Sequence, residues 1–364
     1  MRIAVLGVGL IGGSVGLAAR LRLGAEVAGF DPDADNLARA RAVEALDIAA
    51  GSVAEAVAGA QVVFCAAPVA ALPRLVDEAI RTSGPEAVVT DVGSTKRALV
   101  ASLAEGPARE RFIGGHPLAG AETSGVANAR ADLFEGARWY LTPTDRSGGV
   151  QYDLLQRTVA DLGARPQAIE AAAHDRLMAT VSHLPHVIAN VLVQQAAAAL
   201  AEESERLPEV GPSFRDTTRV AGANPAIWED IYAANSDAVA DAIDAAVDRL
   251  ADAGRRIRAG EGAAVGEWHR AAGTDRRRLL EAEIEGGELI ELRIAVENRP
   301  GTVAEIALAL GHERVNIEDM ALYPAADLRT GAITLWIAGE PEAERAAAIV
   351  RGLGHGVSVV GGEG

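Results

Sequence analysis

Through the first half of the chain, short runs of unbroken apolar residues alternate with stretches at helical spacing, the pattern of strands buried on both faces. Arg2 to Leu6, Ala25 to Phe30, Ala60 to Ala67 (ending at Pro68) and Ala87 to Thr90 each read as such a strand. Phe112 to Gly114 is a shorter one, and Arg138 to Thr142 and Arg165 to Ile169 read as closing strands. Helical spacing runs from Ser14 to Leu23 and resumes from Arg97. Alternation of this kind predicts a parallel, doubly wound α/β sheet, with ligands beyond the carboxyl ends of its strands. From about Ala171 the pattern changes to long Ala-rich helices: Ala171 to Glu205, Asn224 to Ala253 and Gly262 to Glu285. Their continuous apolar faces predict a helix bundle or a dimer interface, and Pro185 is expected to kink or break the first. Glu285-Gly-Gly287 reads as a linker.

The tail changes again. Leu289 to Val296 alternates as a strand, Asn298-Arg-Pro-Gly301 is a turn, and Thr302 to Gly311 is a helix. Asn316-Ile317 opens a second strand, Gly331 to Ala338 is a third, Glu340 to Leu353 a helix and Val357 to Val360 a last strand. That βαββαβ order predicts a small ferredoxin-like sandwich. Three domains follow: 1–170, 171–285 and 287–364.

The first apolar run leads into a turn with chemistry in it. Gly7, Gly9 and Gly12 make a G-x-G-x-x-G turn, with Leu10 and Ile11 between the last two, and Asp31 stands nineteen positions beyond Gly12. Gly7 permits the tight turn, Gly9 lets backbone approach a pyrophosphate, and Gly12 lets helix and strand pack closely. The phosphates sit where free N–H groups and the positive end of a helix dipole converge. Asp31 accepts from a ribose diol and repels a 2′-phosphate, so a Rossmann-type site for NAD rather than NADP is expected.

Charge and composition narrow the partners. With 51 acidic against 34 basic residues, a net charge of −17 argues against nucleic acid or an anionic membrane surface. No run is expected to reach the length of a membrane span, and the chain enters a strand at once, leaving no room for a signal peptide. Cys65 is the only cysteine, which suits a reducing cytoplasm and reads as a buried core thiol. Lys96 is the only lysine in a chain that otherwise uses arginine, which suggests a site wanting a compact ammonium.

Four stretches could carry a reaction. His116 follows two glycines and precedes Pro117 at the ligand edge of the sheet, and reads as an acid/base or hydrogen-bonding group. Ser94 lies in the turn Asp91-Val-Gly-Ser-Thr-Lys96, where it suits a helix cap, as Asp91 and Thr95 do, or a substrate contact. In Ser182-His-Leu-Pro-His186 the two histidines, His183 and His186, stand three apart and share a face if the helix continues. Without further ligands and with no H-E-x-x-H, no metal is expected, and substrate or cofactor contact is the better reading. Arg215 and Arg219 stand four apart ahead of Trp228, as either a solvated helix start or a grip for a carboxylate.

Taken together, these segments resemble the prephenate/arogenate dehydrogenases of tyrosine biosynthesis. The matching pieces are Gly7 to Gly12, Asp91 to Lys96, Gly115-His-Pro-Leu-Ala-Gly120 with Glu122 and Ser124-Gly125, Ser182 to His186, and Asp216-Thr-Thr-Arg219 with Asn224-Pro225 and Trp228. They cover essentially the first 285 residues. The tail is similar to an ACT module through Asn298-Arg-Pro-Gly301 and Val315-Asn-Ile317, although such modules usually carry Asp where Glu297 or Asn298 stands. The resemblance implies that a cyclohexadienol loses a hydride from C4 to the nicotinamide and CO2 from C1, driven by aromatisation. It further implies that His116, with Ser94 beside it, takes the C4 hydroxyl proton and that Arg219 grips the ring carboxylate. Glu122, His183 and Trp228 would surround the substrate side chain, and Asp216 would orient Arg219 or tie the helical domain down. A homodimer is implied, with the ACT tail either a tyrosine effector site or only a dimerising element. Prephenate and arogenate stay open as substrates. Two other readings compete: another dehydrogenase of a small hydroxy or imino acid, and a regulatory protein whose tail senses an amino acid.

Overall fold

In the computed structural model, which describes residues 1–103, 109–120, 125–201, 210–281, 289–297, 299–325 and 329–360, the chain forms two compact units, Met1–Asp248 and the residues from Arg249 onward. In the first, β1 (Arg2–Leu6), β2 (Glu26–Phe30), β3 (Ile48–Ala49), β4 (Val62–Cys65) and β5 (Val88–Asp91) make a parallel sheet in the order β3-β2-β1-β4-β5. Alternate residues of each strand enter opposite cores. On one side Ile3, Val5, Phe64 and Val88 pack with α1 (Leu10–Leu23) and α2 (Ala34–Ala42). On the other, Ala4, Leu6, Val63 and Val89 pack with α3 (Val53–Val57), α4 (Leu72–Thr82) and α5 (Arg97–Ser102). Cys65 is buried in this second core, and burial pushes its thiol pKa well up, with the Asp91 charge adding to it.

β6 (Gly114–Pro117), β7 (Arg138–Thr142) and β8 (Arg165–Ala168), with α6 (Gly149–Asp161), complete the first half. A parallel bridge, Val89 to Phe112, links β5 to the approach to β6. β6 then pairs antiparallel with β7, and β7 parallel with β8, so the sheet is not parallel throughout as the alternation predicted. Trp139 of β7 sits between Phe64 (6.0 Å, edge-on) and Phe134 (5.0 Å), binding β7 to the main core.

The helical region begins with α7 (Ala171–Met178), passes through a π-helical stretch, Ala179–His183, and continues as α8 (Leu184–Ala201). Pro185 therefore does not break the helix. Its missing N–H and its ring would conflict with an ordinary turn, and the wider π turn accommodates both. The run 171–198 is 28 residues long and apolar enough to cross a membrane by length and composition, contrary to the expectation that no run reaches a span. α9 (Pro212–Thr218), α10 (Pro225–Ala234) and α11 (Ser236–Arg258) follow. The single helix expected over 224–253 is interrupted at Asn235, whose buried side chain bonds elsewhere.

In the second unit α12 (Gly262–Glu281) precedes β9 (Leu289–Glu297), α13 (Thr302–His312), β10 (Asp319–Pro324), β11 (Thr330–Ala338), α14 (Glu340–Gly352) and β12 (Gly356–Val360). The strands form an antiparallel sheet in the order β10-β11-β9-β12, and Leu292, Ile294, Leu335 and Ile337 pack against Ile306, Leu310 and Ala347 of the two tail helices. β10 starts at Asp319 rather than Asn316, because the Asn316 amide bonds locally to the Glu318 carboxylate at 2.7 Å. Arg276 of α12 lies 5.3 Å above the Trp336 ring and 3.5 Å from Asp319. Asn298 and the expected linker Glu285-Gly-Gly287 lie outside the described residues.

Candidate active site

At the end of β1, Gly7 adopts φ 97°, and a side chain there would overlap the Ala66 carbonyl oxygen. A Cβ on Gly12 would overlap the Gly7 carbonyl in the same way, so helix and turn are in backbone contact. Gly9 differs: nothing lies within 4 Å of where its Cβ would be. It is also the N-cap of α1 and offers no side chain to the first N–H groups, with Leu10 and Ile11 in the opening turn. An open, uncapped helix start behind a glycine is the geometry a pyrophosphate needs. Asp31, one residue past β2, accepts from the Val8 N–H (2.9 Å) and the Asp33 N–H (2.9 Å). Each carboxylate oxygen keeps a lone pair for a ribose hydroxyl, so the residues present fit a dinucleotide.

A second cluster stands at the same end of the sheet, past β5. Asp91 is fully buried, and its carboxylate accepts from the Gly93 N–H (2.7 Å), the Gly115 N–H (3.1 Å) and the Lys96 ammonium. Lys96 is itself 0 % exposed. Burial lowers its pKa from 10.5, while the Asp91 charge opposes that shift. This pair clamps the turn carrying Ser94 to the strand carrying His116. A Cβ on Gly93 or Gly114 would lie 3.6 Å from Nζ or 3.1 Å from Cδ of Lys96, so both glycines leave space for its fully buried side chain.

His116, half-buried on β6, places Nδ1 2.9 Å from Nε2 of His174, whose Nδ1 is 2.8 Å from the Asp175 carboxylate. His174 and Asp175 are buried, and the His174 ring meets His116 and Tyr140 edge-on at 5.1 and 5.6 Å. Asp175 also accepts from the backbone N–H groups of Lys96 (2.7 Å) and Arg97 (2.9 Å). It thereby caps α5, whose own N-cap residue, Lys96, makes no side-chain cap bond. The capping role open to Asp91, Ser94 or Thr95 is thus filled from 78 or more residues away. Burial holds the His116 imidazole well below its usual pKa of 6.5, and the neighbouring His174, Lys96 and His183 push the same way. His116 is accordingly neutral at neutral pH.

From Asp175 the contacts run onward into the helical region. Asn235 donates its Nδ2 to the Asp175 carbonyl (2.8 Å) and stands 3.3 Å from Nδ1 of His183. His183, its pKa lowered by burial to about 4, meets Trp228 edge-on at 5.9 Å, and His186 stacks on the same indole at 3.7 Å. Both histidines of Ser182–His186 therefore reach one residue across the π turn. Burial and the charge of Arg219, at the C-cap of α9, lower the His186 pKa. Arg219 itself is exposed, and so is Asp216, whose carbonyl accepts from the Arg219 N–H at 3.4 Å. Glu122 and Ser124 lie outside the described residues.

His174, Asp175 and Asn235 escaped the reading of the sequence. Their only signal was a polar pair, and a lone Asn, inside Ala-rich helical runs.

Residues 15–168 match the family described as prephenate dehydrogenase, nucleotide-binding domain, and residues 170–269 match prephenate dehydrogenase, dimerization domain. A prephenate dehydrogenase of Bacillus subtilis is 30 % identical over 355 residues, 94 % of each chain. The chain belongs to the prephenate dehydrogenase family. A cyclohexadienyl dehydrogenase of Zymomonas mobilis is 30 % identical over 246 residues, 66 % of this chain and 83 % of that one. Among solved structures, prephenate dehydrogenase from A. aeolicus in complex with hydroxyphenyl propionate and NAD+ has a TM-score of 0.71 at 27 % identity, covering 77 % of this chain and 98 % of its own. Synechocystis arogenate dehydrogenase has a TM-score of 0.66 at 27 % identity, covering 77 % and 100 %.

Proposed function

We propose that this chain catalyses the NAD-dependent oxidative decarboxylation of prephenate or arogenate with neutral His116 as the proton acceptor. One observation carries the assignment of His116. A half-buried imidazole, held neutral by its surroundings, stands at the ligand end of the sheet in a chain whose relatives are named for this reaction.

NAD supplies the hydride acceptor when bound, and the Gly7–Gly12 turn with Asp31 holds it. His116 takes the C4 hydroxyl proton at Nε2 as the hydride departs and returns it to the phenolate oxygen after CO2 has left. Ser94, in the turn clamped beside it, holds the same hydroxyl. Arg219 fixes the ring carboxylate, with Asp216 one turn before it, and His183, Trp228 and Glu122 surround the side chain. Following NADH absorbance with prephenate and then with arogenate tests the function and chooses the substrate. No turnover of either would refute it.

The remaining readings belong to the same proposal. The division at 170/171 and 285/287 separates nucleotide, helical and ACT domains, and the tail's βαββαβ order supports the last. The helical domain forms a homodimer, supported by its match to a dimerization domain and by exposed Val181, Val191 and Val193 on one apolar run. Tyrosine acts at the ACT tail. Truncation near Gly286 removes tyrosine inhibition if so, and leaves it intact otherwise. A cytoplasmic location suits the lone, buried Cys65.

A further inference from the structure

A histidine and a carboxylate stand behind His116, and both are too buried to touch a substrate: His174 is 0 % and Asp175 1 % exposed. We propose that His174, anchored by Asp175, is a positioning residue that locks His116 in the tautomer whose Nε2 lone pair faces the substrate. This rests on the reading of His116 as proton acceptor.

For a neutral His174 the hydrogen-bond polarity runs one way. An ionised carboxylate is acceptor-only, so the His174 nitrogen 2.8 Å from Asp175, Nδ1, carries the proton. A neutral imidazole has one N–H, which leaves Nε2 of His174 as an acceptor. The atom 2.9 Å from it, Nδ1 of His116, must then donate. Neutral His116 is left with a bare Nε2. When the substrate O–H bond breaks, its electron pair stays on oxygen and the proton forms the Nε2–H bond. The resulting imidazolium still donates Nδ1–H to His174, whose far side rests on the Asp175 carboxylate. Asp175 cannot swing away, because the Lys96 and Arg97 N–H groups hold both its oxygens. Around the two rings stand Lys96 paired with Asp91, His183 held by Asn235, and Tyr140. In this neighbourhood Asp175 is the carboxylate bonded to an imidazole.

Because Asp175 also caps α5, the test uses His174. Steady-state NADH kinetics are measured on the full-length enzyme with prephenate or arogenate, whichever it turns over. His174→Leu removes the acceptor, whereas His174→Gln offers Oε1 to the same Nδ1–H. The expected result is a kcat loss on the order of 100-fold in His174→Leu with KM values within about threefold of wild type. His174→Gln recovers about tenfold or more of that loss. Wild-type kcat in His174→Leu, a loss confined to KM, or equal loss in both variants would overturn the proposal. Should His174→Leu fail to fold, ¹⁵N NMR of the wild-type ring nitrogens decides: a protonated Nδ1 on His116 is expected, and a protonated Nε2 refutes it. His116→Asn is the control. If it turns over like wild type, the proton-acceptor reading fails; if it is inactive while His174→Leu is normal, only the positioning role fails.

Discussion

Replacing Lys96 by Met tests how the site is held together. The substitution keeps the length and apolar volume of the side chain and deletes one charge. Asp91, fully buried, would retain only the N–H groups of Gly93 and Gly115 as partners. Breaking a buried ion pair by removing one partner costs about 3–5 kcal/mol, because the remaining charge is left without compensation. That is a large part of a typical domain's stability of about 5–15 kcal/mol. Adding Asp91→Asn removes the stranded charge, so the double variant should recover much of the loss, an interaction energy of about 2 kcal/mol or more in the cycle. Lys96→Arg keeps the charge but adds bulk at a position that is 0 % exposed, at about 1–3 kcal/mol. Urea unfolding of the wild type, Lys96→Met, Asp91→Asn, the double variant and Lys96→Arg, followed by circular dichroism, measures these differences. The kinetics carry a second sign. The Lys96 charge helps hold the His116 pKa down, so its removal moves the acid limb of kcat/KM to higher pH. A Lys96→Met protein as stable as wild type, with its acid limb unmoved, would refute the clamp.

Three further outcomes follow from particular residues. Gly9→Val leaves the melting temperature nearly unchanged, since φ is −76° and the space is open, but raises the KM for NAD about tenfold or more. Gly7→Val, at φ 97° against the Ala66 carbonyl, instead lowers stability, and calorimetry separates the two. The His183 pKa falls from 6.5 in the unfolded chain to about 4 in the fold, so the unfolded state binds the extra proton between those values. Stability contributed by neutral His183 is thus full above pH 6.5 and lost as pH falls toward 4, by at most on the order of 3 kcal/mol. His183→Gln should flatten that part of the stability profile, and an unchanged slope between pH 6.5 and 4 would contradict it.

The parts of the chain that were legible are those whose determinants are local. Gly7, Gly9, Gly12 and Asp31 lie in one stretch, where Gly7 and Gly12 are needed for close backbone contacts and Gly9 leaves the helix start open. Tail element order was legible for the same reason, because alternation and turn residues are short-range signals. What failed was determined at a distance. The cap of α5 comes from Asp175, which no inspection of 91–97 reveals. Asn235 interrupts a helix because its side chain serves Asp175 and His183, not because of its own propensity. Pro185 gave a true warning of backbone irregularity, but the helix answers it with a π turn rather than a break. The antiparallel turn of β6 depends on its partner β7, some twenty residues on, and the apolar pattern says nothing of direction.

One measurement bears on the whole account: turnover of His116→Asn with NAD and the preferred substrate, beside its affinity for both. The Asn amide keeps a polar side chain at the site but cannot take a proton at Nε2. The account predicts near-normal binding with kcat reduced about 100- to 10,000-fold, the usual range for losing a general base. A variant that binds and turns over like the wild type would contradict it.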